Sequence, residues 1–457
     1  MELLLYILGM LIMAVAIGVS IALHEVGHLL PAKLFNVRVP QYMIGFGKTI
    51  FSFKKGETEY GFKAIPLGGY ISMIGMYPPS KTEARQAAEH PEEALEHPGS
   101  TSPFASMAAA ARAADAERMQ PGDENRLFYK LPVLKRMVIM LGGPSMNLLL
   151  AIIFTVIAVV GFGSAKPTTT VGVVSECVPS VSVSDTALTY GECTDSSTAS
   201  PAKSAGVQTG DRIVRVDSRE VSSWAQISEA IRQHEGSEPL SLSVLRNGNE
   251  QSFSIQPATI IRPVTDSNGD YARDAQGKLQ LVEGGFIGIS PTTALSPDPI
   301  TRVPEVLGDQ VSRMGKAMLS LPQRVWDVGV TLVTNGERDK ESPMSVVGVS
   351  RVAGEVAATD KIDINAKAAT LISLIASMNL MLFVFNLIPL LPLDGGHVAG
   401  ALWESIRRAW AKLRSKPDPG PFDPVKMLPL TYVVAGAFVL MSLVLILADI
   451  FKPLTLF

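Results

Sequence analysis

The chain has 457 residues, 47% hydrophobic and only 18% charged, with a mean hydropathy of +0.25, a balance that belongs to a polytopic membrane protein. A net charge of −3 is too close to neutral to suggest nucleic acid as a partner. Two cysteines, Cys177 and Cys193, are too few for a cysteine-rich metal site or a disulfide-built scaffold.

The first apolar run extends from Leu3 to Leu23 without a charge, long enough for a transmembrane helix of about 20 residues. It lacks a basic start and a small-residue cleavage site, so 1–32 reads as a retained helix rather than a signal peptide. At its end stand His24, Glu25 and His28, in the pattern H-E-x-x-H. On a helix, residues four apart share a face, so the two imidazoles can grip one metal ion. Glu25 is placed to take a proton from an attacking water. Ionisable groups inside a spanning helix are costly and persist mainly where they have partners, and a metal supplies them.

The segment 33–132 follows. Gly45 to Met76 alternates aromatic and polar residues around Lys55-Gly56, which predicts a β-hairpin over 45–76. Residues 77–123 are rich in Pro, Ala and Glu and read as a flexible linker, with His90 and His97 as solvated linker residues. A second span lies within 133–163, from about Met137 to Gly163.

The segment 164–300 reads as one globular α+β domain. Ser200 to Ile255 contains a helical turn, a Gly-rich loop, a strand, an amphipathic helix and two strands closed by Asn247-Gly248. With Gly206, Gly210 and Asp211 in the loop, this stretch resembles a PDZ domain of the bacterial protease type. The resemblance implies a groove in which an extended peptide or a protein C-terminus adds a strand. Cys177 and Cys193, sixteen positions apart in an insert before the domain core, suit a local disulfide. Residues 301–366 look amphipathic and loop-like, a connector along the membrane surface.

A third span occupies 367–397 and carries Leu393-Asp394-Gly395 at its end. Catalytic zinc needs a third protein ligand and an open position. Asp394 and His397 are the candidates. Pro389, Pro392, Gly395 and Gly396 break the helix there, freeing side chains and backbone groups to turn towards a site. Asp394 is favoured because it lies nearer the apolar run. A basic loop, 398–427, leads to a fourth span and tail, 428–457. Lys and Arg cluster in 33–136 and 407–426, so both loops are expected in the cytoplasm. Both termini and the domain at 164–300 are then expected outside.

H-E-x-x-H in the first of four transmembrane helices, Leu-Asp-Gly in the third and a PDZ-like domain between the second and third resemble the site-2 proteases, in particular the bacterial RseP-like group. Gly45-Phe46-Gly47, the "LGGPSMN" ending in Asn147, and Asn386 with Pro389 fit the same pattern. The resemblance implies one zinc per chain held by His24, His28 and Asp394, with Glu25 as general base. It implies that Asn386, Pro389 and the Gly45–Gly47 stretch position substrate, and that single-span membrane proteins are cut within the bilayer of a bacterial inner membrane. The chain departs from two-PDZ members in carrying one such domain. The alternative is a membrane-anchored PDZ adaptor with an inactive metal site, which predicts binding without cleavage.

Overall fold

The computed structural model describes residues 2–79, 103–183, 188–194, 196–234, 238–264, 272–274, 278–334, 336–339 and 341–454. His90 and His97 lie outside the described residues. The chain divides into two compact units, one formed by 1–162 with 298–457 and the other by 163–297.

Among the described residues of the first unit, four helices are long and apolar enough to cross a membrane: Glu2–Leu34, Val133–Phe162, Ile364–Asn386 and Pro424–Phe451. The first is α1 (Glu2–Leu34). After it, β1 (Gln41–Lys55) and β2 (Thr58–Ser72) form the expected hairpin, beginning and ending four residues earlier than 45–76. The hairpin folds back on itself. Residues 41–44 are flanked by 69–72 on one side and by 59–62 on the other, while 51–55 pair with 58–62. The glycines permit the fold-back: Gly45, Gly47 and Gly68 take positive φ, and a Cβ at Gly45 would lie 2.6 Å from the Ile65 carbonyl oxygen.

Part of the expected linker is helical. α2 (Pro103–Ala116) is built on an alanine-rich run, the best intrinsic helix former, and its Asp115 accepts hydrogen bonds from the Gly75 and Tyr77 amides. α3 (Val133–Val156) runs on through a π-turn to Phe162. It crosses α1 at a glycine pair, where a Cβ on Gly27 would lie 2.7 Å from the Gly142 carbonyl carbon.

The stretch expected as a loop-like connector corrects to two helices, α6 (Val303–Thr334) and α7 (Val346–Ala358); α4 and α5 fall in the second unit, below. Val325, Val328 and Leu332 recur at helical spacing and pack against Leu445 and Ala448. α7, with 13 residues, is too short to cross a bilayer. Its small residues let it lie against α1, where a Cβ on Gly9 would come within 2.8 Å of the Ala357 side chain.

The third span also corrects. α8 (Ile364–Asn386) stops before Pro389, and a separate helix, α9 (Asp394–Leu413), begins at the aspartate. Pro389 and Pro392 lack the amide hydrogens and clash with the preceding turn, so the chain cannot continue as helix. Much of the expected basic loop 398–427 is therefore α9, and α10 (Leu428–Phe451) completes the unit.

The second unit, 163–297, holds a sheet in the order β12-β3-β6-β8-β9, with β7 (Arg219–Glu220) beside β6. Its strands are β3 (Ser164–Val174), β6 (Arg212–Val216), β8 (Leu240–Arg246), β9 (Asn249–Ile255) and β12 (Ile289–Ser296). Ile227 and Ile231 of α5 (Trp224–Arg232) are buried among Ile213, Val216, Leu242 and Val244 of the sheet. Two small hairpins stand apart: β4 (Val181–Val183) with β5 (Leu188–Tyr190), and β10 (Ala258–Pro263) with β11 (Leu281–Phe286). Cys177 and Cys193 are joined as a disulfide beside the first of these. Gly206 ends the short α4 (Pro201–Ala205) in the left-handed conformation, and Gly210 also has positive φ. Asp211 accepts from the Gln208 amide and from both Nε and Nη2 of Arg246.

Candidate active site

Three side chains from two distant stretches converge in the first unit. His24 and His28 lie one turn apart on α1, and their Nε2 atoms are 3.2 Å apart. Asp394 at the start of α9 directs one oxygen, Oδ2, to both: 3.2 Å from His24 Nε2 and 3.3 Å from His28 Nε2. The aspartate is placed by its neighbours. Gly395 and Gly396 let residues 387–391 fold tightly over the first turn of α9, since a Cβ on Gly395 would lie 2.6 Å from the Leu387 carbonyl oxygen. A carboxylate at a helix N-terminus also meets the positive end of the helix dipole.

α3 makes room for the cluster and orients it. A Cβ on Gly143 would stand 2.7 Å from His24 Nε2 and closer still to His28 Nε2, so only glycine leaves that space open. The Ile139 carbonyl oxygen lies 2.7 Å from His28 Nδ1 and can only accept, and it is much nearer than the Gly143 amide at 3.4 Å, so the favoured tautomer carries its proton on Nδ1 and turns the Nε2 lone pair to Asp394. Asn147, fully buried, lies 3.0 Å from His24 Nδ1 through its amide.

These residues fit a metal. His24, His28 and Asp394 form a group whose ligand atoms all lie within metal-binding reach of one another. A triangle about 3.3 Å on a side matches a tetrahedral ion with bonds of about 2.0 Å, the geometry and donor set of catalytic zinc with one position left open. Asp394 Oδ2 is buried and takes no hydrogen bond, as expected of an oxygen kept for an ion.

Glu25 is buried beside the cluster, 8% exposed. A Cβ on Gly69 would lie 3.0 Å from Glu25 Cγ, so the end of β2 runs directly over the glutamate. Tyr42 ties β1 to α1 through its hydroxyl, which donates to the Ala22 carbonyl at 2.8 Å. The hairpin thus lays a strand edge along the cluster.

The other expected residues fall further out. Gly45, Phe46 and Gly47 sit on the hairpin, with Phe46 stacked on Tyr70 and half exposed. Asn386 is the last residue of α8, its side chain donating back to the Leu382 carbonyl, and Pro389 lies in the link to α9. His397 is one turn into α9 and outside the ligand triangle. Gly206, Gly210 and Asp211 belong to the other unit. Sequence reasoning missed the Gly143 vacancy and the Ile139 carbonyl. Their signal was the four-residue spacing of 139, 143 and 147, one face of α3.

The unit 163–297 has a concavity of its own, about 460 Å³, between α5 and β12. Ser228 and Ile231 line one side, Ile289 the other, with Tyr190 and Arg262 at its margins. β12 ends its sheet, so one edge of that strand is unpaired among the described residues. The Arg262 Nε is buried without a hydrogen-bond partner, and burial pushes the guanidinium pKa down.

The model of peptidase family M50 matches residues 12–417. Zinc metalloprotease Rip1 of Mycolicibacterium smegmatis is 32% identical over 464 residues, covering 98% of this chain and 99% of the relative. Zinc metalloprotease Rip1 of Mycobacterium tuberculosis is also 32% identical, over 463 residues and 99% of both chains. Zinc metalloprotease RasP of Geobacillus kaustophilus is 26% identical over 432 residues, 86% of this chain and 88% of its own.

Proposed function

This chain belongs to peptidase family M50, the site-2 proteases, which act on transmembrane proteins within the lipid bilayer; from that premise we propose that His24, His28 and Asp394 hold one zinc ion and that Glu25 is the general base of an intramembrane metalloendopeptidase. The observation that carries the reading is the convergence of two imidazole nitrogens and one hydrogen-bond-free carboxylate oxygen on a single point. Zinc, when bound, polarises the scissile carbonyl and acidifies water. The protein's own groups do the rest. Glu25 takes the proton of the attacking water and returns it to the leaving amine. A transmembrane helix must first unwind, because its carbonyls are hydrogen-bonded internally. The end of β2 above Glu25 offers a strand edge to the unwound segment, and Asn386, freed from its own helix carbonyl, holds one of its backbone groups. Phe46 and Pro389 flank the same path.

The substrates are single-span membrane proteins cut in regulated intramembrane proteolysis, such as anti-sigma factors in transmembrane signalling. The chain is a multi-pass protein of the bacterial inner membrane. The Lys and Arg clusters in 33–136 and 407–426 support an active site near the cytoplasmic face, with both termini and the unit 163–297 outside. That unit serves as a PDZ-type peptide receptor. The free edge of β12 supports strand addition, and the Arg262 Nε, buried without an acceptor while Nη2 donates to the Gly285 carbonyl, supports a carboxylate on the bound peptide. An adaptor with an inactive metal site is not favoured, since the relatives that match nearly the whole chain are zinc metalloproteases and the grouping of His24, His28 and Asp394 supports the same reading.

The test has two steps. Detergent-purified wild type is expected to hold about one zinc per chain, in line with a three-ligand catalytic site, and Asp394→Ala to hold none. Glu25→Gln is expected to keep its zinc and cut a model single-span substrate about 10³-fold more slowly, the range for loss of a general base. Equal cleavage by Glu25→Gln and wild type would remove Glu25 from its role.

A further inference from the structure

The two histidines of the cluster are not held in the same way. His28 has an acceptor that cannot be anything else, the Ile139 carbonyl at 2.7 Å from Nδ1. His24 has no carbonyl there. The group at 3.0 Å from its Nδ1 is the side-chain amide of Asn147, placed with Nδ2 towards the ring. In that orientation the amide donates, Nδ1 accepts, and the proton of a neutral ring must sit on Nε2. Nε2 is the atom facing Asp394 and His28, so a proton there would leave His24 without a lone pair for an ion.

The two ends of an amide have nearly the same shape, and their assignment follows from the partners each end can find. Here the far end offers no guidance, because Asn147 Oδ1 is buried and makes no hydrogen bond. Turning the amide over therefore breaks nothing at that end. It brings Oδ1 to His24 Nδ1 as an acceptor, and His24 takes the same Nδ1–H form as His28. Asn147 and Ile139 stand two turns apart on one face of α3, with Gly143 between them leaving space for both rings.

We propose that Asn147 is a positioning residue: its amide oxygen accepts the Nδ1 proton of His24 and so fixes the tautomer that frees Nε2 for the metal. Partners of this kind around ligating histidines change metal affinity by about 10–100-fold when removed. An apolar side chain of similar size would leave Nδ1–H buried without an acceptor, and the competing tautomer, with Nε2–H donated to Asp394, would gain ground. The inference rests on the zinc reading above.

The experiment is zinc affinity, by competition with a chelating dye, on the full chain in detergent, for wild type, Asn147→Leu and Asn147→Asp. The leucine variant is expected to bind zinc about 10–100-fold more weakly. The aspartate variant keeps an acceptor and no donor, and is expected to match or exceed wild type. Absorption of the cobalt-loaded proteins gives a second readout: a four-coordinate spectrum in wild type and Asn147→Asp, altered in Asn147→Leu. Asn147→Ala takes the place of the leucine variant if that fails to fold. Equal affinity in wild type and Asn147→Leu would overturn the proposal, as would an aspartate variant as weak as leucine. Absence of zinc from wild type itself would overturn the functional reading, and is distinguished by appearing before any substitution is made.

Discussion

Two aspartates sit at helix ends in the same unit, and their surroundings are opposite. Asp449, 2% exposed near the end of α10, is saturated. Its Oδ1 accepts from Arg338 at 2.7 Å, and its Oδ2 from the Ser345 amide and hydroxyl at 2.7 and 2.6 Å. Asp394 shares its Oδ2 between two imidazole nitrogens, with no hydrogen bond to it. Every donor around Asp449 belongs to the protein, so nothing is left for a ligand to do. Around Asp394 the ligand atoms of three side chains converge on one point. Burial of a charged group is thus a poor guide to function, while the direction of its unsatisfied lone pairs is a good one.

The sharpest way to break that contrast is to substitute both residues in parallel. Asp394→Asn is expected to weaken zinc binding by at least about 100-fold, since loss of even an outer partner costs 10–100-fold, with little change in the stability of the zinc-free protein. Asp449→Asn is expected to keep zinc and to destabilise the fold by about 3–5 kcal/mol, the effect of leaving a buried partner charge such as Arg338 uncompensated. Zinc titration and detergent-phase unfolding of both variants read the two effects. A zinc defect in Asp449→Asn as large as in Asp394→Asn would erase the distinction. Gly143→Ala probes the space rather than the charge. Its Cβ would displace both imidazoles, so zinc affinity is expected to fall by at least about ten-fold, as a misplaced ligand set would.

The part of the site that lies in local spacing was legible in the sequence. H-E-x-x-H needs only a helix, and the Pro and Gly residues around Asp394 announce a break in the third span. The structure adds that the break is complete, with Asp394 opening a new helix rather than closing an old one. Residues whose role depends on a crossing were not legible. Gly143 is an ordinary helix glycine until α1 is laid against it, and the Ile139 carbonyl carries no side-chain signature. α6 and α7 were misread because small and polar residues interrupt their apolar faces, and only packing against α10 and α1 decides their state. In α2, a run of alanines reads as low complexity, although alanine is also the strongest helix former.

The comparison extends to a third aspartate, outside the membrane-spanning segments. Burial pushes the Asp211 carboxyl pKa up, but the two-pronged hydrogen bond from Arg246 and the Gln208 amide outweigh it, so the net shift is downward. A carboxyl lowered in the folded state binds its proton more weakly there than in the unfolded chain. Its contribution to stability is therefore fully present above the unfolded value, about 3.9, and is lost as pH falls through the lower folded value. Amide exchange in β6 and β8 of the intact protein is expected to stay slow at pH 5 and to quicken only below about pH 4. Asp211→Asn is expected to weaken that protection by about 1–3 kcal/mol at neutral pH, the cost of losing a charged hydrogen-bond acceptor, and to remove this group's share of the acid sensitivity. Zinc affinity should be unaffected, because the carboxylate is already spent on donors within its own unit. A steep acid response surviving unchanged in Asp211→Asn would show that another carboxylate governs it, and that saturation of Asp211 by Arg246 is without consequence for the fold.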